Sequence, residues 1–199
     1  MTLTGIRPRA LFQCRTKEGA VVTTPSQTVG PFFGYALPYA DGPYVVPEWH
    51  PDAIRLRGRV LDGAGEPLPD ALVEIWQADA DGDVSRGGGE LRRAGNDFSG
   101  FGRCGTDAGG NYWFSTVKPG GPAPHIAVLI FARGLLKPVA TRVYFPGEPG
   151  NATDPVLFAV PAERRDTLVA VREGERSYRF DVHLRGERET VFFERCFAD

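Results

Sequence analysis

Residues 111–133 read NYWFSTVKPGGPAPHIAVLIFAR, and VATRVYF follows at 139–145. Residues 112–117 alternate as a strand with one buried face does. Pro119, Gly120, Gly121, Pro122 and Pro124 then interrupt any regular element, because proline lacks the amide donor and glycine favours turns. Residues 125–132 are almost wholly apolar, the pattern of a central strand covered on both faces. Alternate residues of a strand share a face, so His125 and Ala127 point the same way. Two histidines in those positions would grip one ion; a histidine and an alanine cannot.

The same punctuation runs through the chain. The 25 glycines and 17 prolines are about a fifth of the 199 residues and are spread throughout, which argues for many short strands joined by turns. Ile54, Leu56, Gly58 and Val60 alternate with Arg55, Arg57 and Arg59, giving a strand with one wet face. Residues 72–76 form another, and residues 83–105 form a long, glycine-rich loop. Further strands are expected at 139–145, 167–172, 178–185 and 189–193, with one helical turn at 161–166. The sum is an all-β chain, an antiparallel β-sandwich with long loops and almost no helix. Residues 1–24 have no period and read as an N-terminal arm. Residues 25–53, rich in Pro, Gly and aromatics, read as an interface segment in which helix is not expected. The sandwich domain occupies 54–199. Gly58-x-Val60-x-Asp62 and Thr106-Asp107-x-x-Gly110-x-Tyr112 open two similar hairpin modules, a fold signal and not a functional one.

Composition narrows the function classes. A formal charge of −2 gives no reason to expect nucleic acid or an anionic membrane as partner. The apolar run at 126–132 is too short to span a bilayer, and no apolar run follows Arg7, Arg9 and Arg15 as a secretory signal requires. Three scattered cysteines, Cys14, Cys104 and Cys196, make no disulfide framework and suit the reducing cytoplasm. Asp79, Asp81 and Asp83 have the opening spacing of a calcium loop, with Glu90 twelfth, but Val84 stands where the sixth-position glycine belongs. A solvated turn is the better reading. His50, His125 and His183 are the only histidines.

Several strings together resemble the intradiol ring-cleavage dioxygenase family. They are Thr24-Pro25-Ser26-Gln27-Thr28-Val29-Gly30-Pro31, Glu74-Ile75-Trp76-Gln77-Ala78-Asp79, Lys118-Pro119-Gly120, Phe131-Ala132-Arg133-Gly134 and the stretches at 151–157 and 178–193. The resemblance covers residues 24–193 and departs in a longer arm, at residues 34–50 and in a short loop at 120–124. Iron-bearing members hold Fe(III) with two tyrosinates and two histidines; hard anionic phenolates suit the ferric ion. Of those four positions only His125 is matched here. Ala127 replaces the second histidine, and no tyrosine lies in 119–124 or 84–93.

The chain therefore resembles the non-metal alpha type of subunit, with no catalytic and no metal-ligating residue of its own. The resemblance implies an iron-bearing beta subunit as partner in a hetero-oligomer. The implied reaction inserts O2 between the hydroxylated carbons of 3,4-dihydroxybenzoate to give 3-carboxy-cis,cis-muconate, with the Fe(III) cofactor bound by the partner. It also implies substrate-binding roles for Arg133, toward the carboxylate, and for Thr28, Gly30 and Pro31, as a wall of the partner's site. An arginine fork suits a carboxylate because it binds both oxygens, although from spacing alone Arg133 is an ordinary strand-end arginine. Two rival readings are a transthyretin-like binding module with no enzymatic partner and an iron dioxygenase with unfamiliar ligands.

Overall fold

In the computed structural model, residues 27–84 and 98–193 are described. The arm at 1–24, the start of the Thr24–Pro31 string, the glycine-rich stretch 85–97, Cys14 and Cys196 lie outside them. Among the described residues nine strands form two sheets: β1 (Ala53–Leu61), β2 (Leu72–Trp76), β3 (Phe101–Gly105), β4 (Asn111–Val117), β5 (His125–Phe131), β6 (Val139–Tyr144), β7 (Val171–Arg172), β8 (Ser177–Arg179) and β9 (Val182–His183). One sheet runs β4-β1-β8-β7, with β9 also on β1; the other runs β3-β2-β5-β6.

The alternation of β1 is observed: Leu56 and Val60 are fully buried, while Arg55, Arg57 and Arg59 face solvent. From the facing sheet, Val73, Ile75, Ile126, Val128 and Ile130 meet them to form the core. β5 sits between β2 and β6 as its apolar run requires, and Leu129, on its outward face, is buried as well. That outward face is covered on one side by a smaller cluster of Tyr144, Leu157, Val160 and Leu168. On the other side, Arg103 pairs with the buried Glu74 at 2.7 Å and donates to the Leu37 carbonyl at 3.1 Å, anchoring the preceding loop.

The two sheets are rich in antiparallel pairs but not wholly antiparallel. β1 pairs in parallel with β8, Leu56 opposite Tyr178, and with β9, Val60 opposite Val182. A parallel neighbour needs a long crossover, and the chain between β6 and β7 supplies one. That crossover holds 3-10 turns at Pro149–Ala152 and Ala162–Leu168 and the short helix α2 (Pro155–Ala159). The strands expected at 167–172 and 178–185 are accordingly shorter. The first shrinks to Val171–Arg172, and the second breaks at Phe180–Asp181. Residues 189–193 keep only a bridge from Phe193 to Ala140.

The proline-rich segment is more ordered than a connector. A one-turn helix, α1 (Phe33–Ala36), forms where helix was not expected. Farther on, Val45 and Val46 are fully buried, and Ser115 of β4 donates to Pro43 O while its carbonyl accepts from Val45 N. Phe33 is buried; Phe32, Tyr35 and Trp49 are exposed.

One turn recurs three times. The carboxylates of Asp62, Asp79 and Asp107 each accept the amides two and four residues ahead, at 2.8–3.0 Å. Gly65, Gly82 and Gly110, three residues beyond each aspartate, have positive φ, where a Cβ is strained. The carboxylate of Asp79 thus caps its own backbone, which accounts for the calcium-like spacing.

At the break between β8 and β9, the Phe180 carbonyl approaches β1 so closely that a Cβ on Gly58 would lie 1.8 Å from its oxygen. Gly58→Ala is expected to lower stability by at least about 1–3 kcal/mol, the scale of overpacking, read as a drop in the denaturant midpoint. Gly34→Ala, with open space around its Cβ, is the control and should leave the midpoint nearly unchanged.

Candidate functional site

The first residues of β5 face out of the four-stranded sheet into a cavity of about 450 Å³, lined by Trp76, Gln77, Val84, Pro122, His125 and Asp154 among others. Its walls are loops pressed together by small residues. A Cβ on Gly120 would lie 2.3 Å from the Ala80 carbonyl, and one on Gly150 would lie 1.6 Å from that of Pro122. Gly120 N donates to Asp79 O at 2.8 Å. Gln77 is locked beneath, donating to Val117 O at 2.8 Å and accepting from the Thr116 hydroxyl at 2.6 Å. Lys118 pairs with Glu148 at the rim.

His125 Nδ1 lies 2.9 Å from Ala123 O. A carbonyl only accepts, so Nδ1 carries the proton and Nε2 is bare in the neutral ring. Opposite in register stands Tyr144, its ring 5.6 Å away. Tyr144 is fully buried and donates to Asp154 Oδ1 at 2.8 Å. Burial, assisted by the Asp154 carboxylate and opposed by Arg142, pushes its phenol up to about 12. Asp154 also caps α2 by accepting from Leu157 N at 2.7 Å. Burial raises its carboxyl, but the bonds from Leu157 and Tyr144, with Arg142 and His125 nearby, outweigh burial and hold it below the usual value.

These groups do not fit a ferric centre. Ala127 faces Trp76 and Arg142 across the ladders and offers no donor, and Tyr144 is a phenol already bonded to Asp154. Among the described residues no three His, Cys, Asp or Glu side chains converge.

The expected substrate-binding residues lie elsewhere. Arg133 follows the far end of β5, roughly 26 Å along the chain from His125 at about 3.3 Å per residue. Its side chain is 70% exposed, with Nε 3.0 Å from Asp70 Oδ2. Thr28 and Pro31 are exposed. Gly30 has φ +79°, a bend that favours glycine. Among the described residues, no hydrogen bond joins this segment to Arg133. Sequence reasoning missed two partners. Asp70 has no sequence signal. Asp154 does: Asp-Pro ahead of an apolar turn is an N-cap followed by proline at the first helical position. A larger cleft lies on the other sheet, where Arg57 pairs with Glu173 at 2.8 Å, Arg179 lies 3.5 Å from Asp181 and Arg55 stacks on Trp113. Its cations are largely spoken for.

Residues 30–186 match the family profile described as Dioxygenase, and the chain belongs to the intradiol dioxygenase family. Within that family it is 42% identical to the protocatechuate 3,4-dioxygenase alpha chain of Burkholderia cepacia, over 86% of this chain and 96% of the relative. It is 38% identical to the beta chain of the same organism, over 70% of this chain and 67% of that one. Among solved structures, the dioxygenase domain of a carbohydrate-binding fusion from Streptomyces sp. SirexAA-E superposes with a TM-score of 0.57 at 29% identity, over 82% of this chain and 98% of that one. The resemblance drawn from short strings thus extends over most of the sequence. No helix among the described residues is long and apolar enough to cross a membrane.

The half-buried imidazole of His125 makes stability depend on pH. Burial is the main cause that holds His125 below its ordinary 6.5, with Arg142 acting in the same direction and Ala123 O and Asp154 opposing. Between the lowered folded value and 6.5 the unfolded chain binds more protons, so stability falls as pH drops below about 6.5 and is flat above it. His183 is lowered too, by burial first and then by Arg188, and contributes with the same sign. His125→Gln should reduce the slope of stability against pH below about 6.5, measured by urea unfolding at a series of pH values. An unchanged slope would assign the dependence elsewhere.

Proposed function

We propose that this chain is the non-metal alpha subunit of a protocatechuate 3,4-dioxygenase, acting in the cytoplasm beside an iron-bearing beta subunit. The observation that carries the reading is the 42% identity to an alpha chain over 96% of that relative's length. Ala127, where a second imidazole would be needed, supports it. The Fe(III) on the beta subunit would supply the chemistry, activating the bound catecholate toward O2. This chain would shape the pocket. Arg133 would hold the carboxylate of 3,4-dihydroxybenzoate, and Thr28, Gly30 and Pro31 would close one wall and keep water from the ring. Residues 25–53 would be the segment through which the subunits meet, with residues 1–24 an arm ahead of it and 54–199 the sandwich. The exposure of Phe32 (76%) and Tyr35 (88%), directly after that wall, supports a partner surface there, since adjoining exposed aromatics mark contact sites.

Co-expression with a beta chain carrying the two tyrosines and His-x-His tests the assembly. The two chains should co-purify, and iron with its red tyrosinate colour should appear only when the beta chain is present. A stoichiometric red iron complex of this chain alone would overturn the reading.

Arg133→Ala in the assembled enzyme should raise the apparent dissociation constant for 3,4-dihydroxybenzoate about ten- to a hundredfold, the effect of losing a charged hydrogen bond. Catechol, which lacks the carboxylate, should be much less affected. Equal losses for both would show Arg133 to be structural.

A further inference from the structure

Arg133 does not stand alone at the end of β5. Its Nε lies 3.0 Å from Asp70 Oδ2, and among the described residues its terminal nitrogens have no other acceptor. A guanidinium is a rigid planar fork with two usable edges. Nε is the guanidinium nitrogen nearest Asp70, and the edge formed by the two terminal nitrogens matches a carboxylate. Asp70 is itself firmly placed. Leu68 N donates to Val60 O, Pro69 restricts the chain, and the Thr106 hydroxyl brackets the segment by donating to Leu68 O at 2.6 Å while accepting from Ala71 N at 2.9 Å. Ala71 is buried. The other oxygen, Asp70 Oδ1, is buried and has no hydrogen-bond partner within the chain. An unsatisfied buried acceptor carries a cost, so this aspartate is poorly explained as a contributor to folding and better explained by what it does to Arg133.

We propose that Asp70 is a positioning residue that fixes the Arg133 fork and so sets selectivity for a carboxylate-bearing aromatic substrate. This rests on the reading of Arg133 given above. A long exposed arginine samples many rotamers, and ordering them on binding weakens affinity. Asp70 orders the side chain before the substrate arrives. It also leaves the pair with no net charge, so the fork attracts anions less by long-range field than by geometry.

The test uses the assembled alpha–beta enzyme and steady-state kinetics with 3,4-dihydroxybenzoate and with catechol. Asp70→Ala should raise KM for the carboxylate substrate roughly three- to tenfold, a fraction of the loss expected from removing the charged bond itself. It should leave kcat and the catechol KM within about twofold. Asp70→Glu should restore part of the loss. Asp70→Ala added to Arg133→Ala should change nothing further, because the two act as a unit. Equal effects on both substrates would make Asp70 structural and overturn the proposal. So would a lowered KM for the acid, which would mean that Asp70 competes with the substrate, or losses that multiply in the double variant. A selective Arg133→Ala with a silent Asp70→Ala would sink only Asp70; an unselective Arg133→Ala would sink the reading of Arg133 and this proposal with it.

Discussion

The backbone of a single residue, Phe180, joins strands that come from distant parts of the chain. Its carbonyl accepts the buried Tyr112 hydroxyl from β4 at 2.5 Å, while Phe180 N donates to Arg57 O of β1 at 2.8 Å. Gly58 leaves the room for this approach. Asp181, the next residue, turns its carboxylate to the Arg59 amide and so replaces a ladder bond where β8 gives way to β9. A buried phenol without a partner would be expensive. Its ionisation is strongly opposed by the same burial, with Asp181 adding to it, so Tyr112 remains a donor. The five-stranded sheet is joined at this point, where β4, β1 and the β8–β9 break meet.

Much of this was legible in advance because it follows from local patterns. The period of two in residues 54–60 and the unbroken apolar run in 126–132 set the burial of β1 and β5 without reference to any neighbour. The aspartate turns were legible in outline, since Asp and a glycine three residues on are a local instruction. What escaped depends on residues far away in sequence. Nothing in Ser177–Arg179 says that it lies parallel to β1, and nothing near Pro69 announces that Asp70 will meet Arg133. Val45 and Val46 form too short an apolar pair, among prolines, to declare themselves as core. Of the site, His125 and Ala127 could be placed on one face from spacing alone. The use of Tyr144 to engage Asp154 could not, because their meeting depends on the crossover after β6.

The groups around His125 tie the start of β5 and the end of β6 to the crossover. His125 donates to the Ala123 carbonyl, while Tyr144 donates to Asp154, which also caps α2. The loops around the cavity are tied by glycine contacts and by Gln77, not by coordination. A satisfied polar network of this sort rigidifies its surroundings. On the reading proposed above, the pocket keeps its shape while the chemistry resides in the beta subunit, and Arg133 at the far end of β5 is the residue that serves it.

The parallel pairing of β1 sets the order in which the protein can form as it is made. Arg59 and the Asp181 carboxylate that takes its amide are 122 residues apart. At ribosomal speeds of about 5–20 residues per second, roughly 6–24 seconds separate the emergence of β1 from that of its partner. Through that interval β4 can zip onto one edge of β1, but the other edge presents bare amides and carbonyls to whatever is nearby. The three arginines on its wet face are well suited to that wait, since charges along an open edge discourage pairing with a foreign strand. Side chains that meet Glu48, Glu173 and Asn111 in the finished molecule thus have a second use on the nascent one.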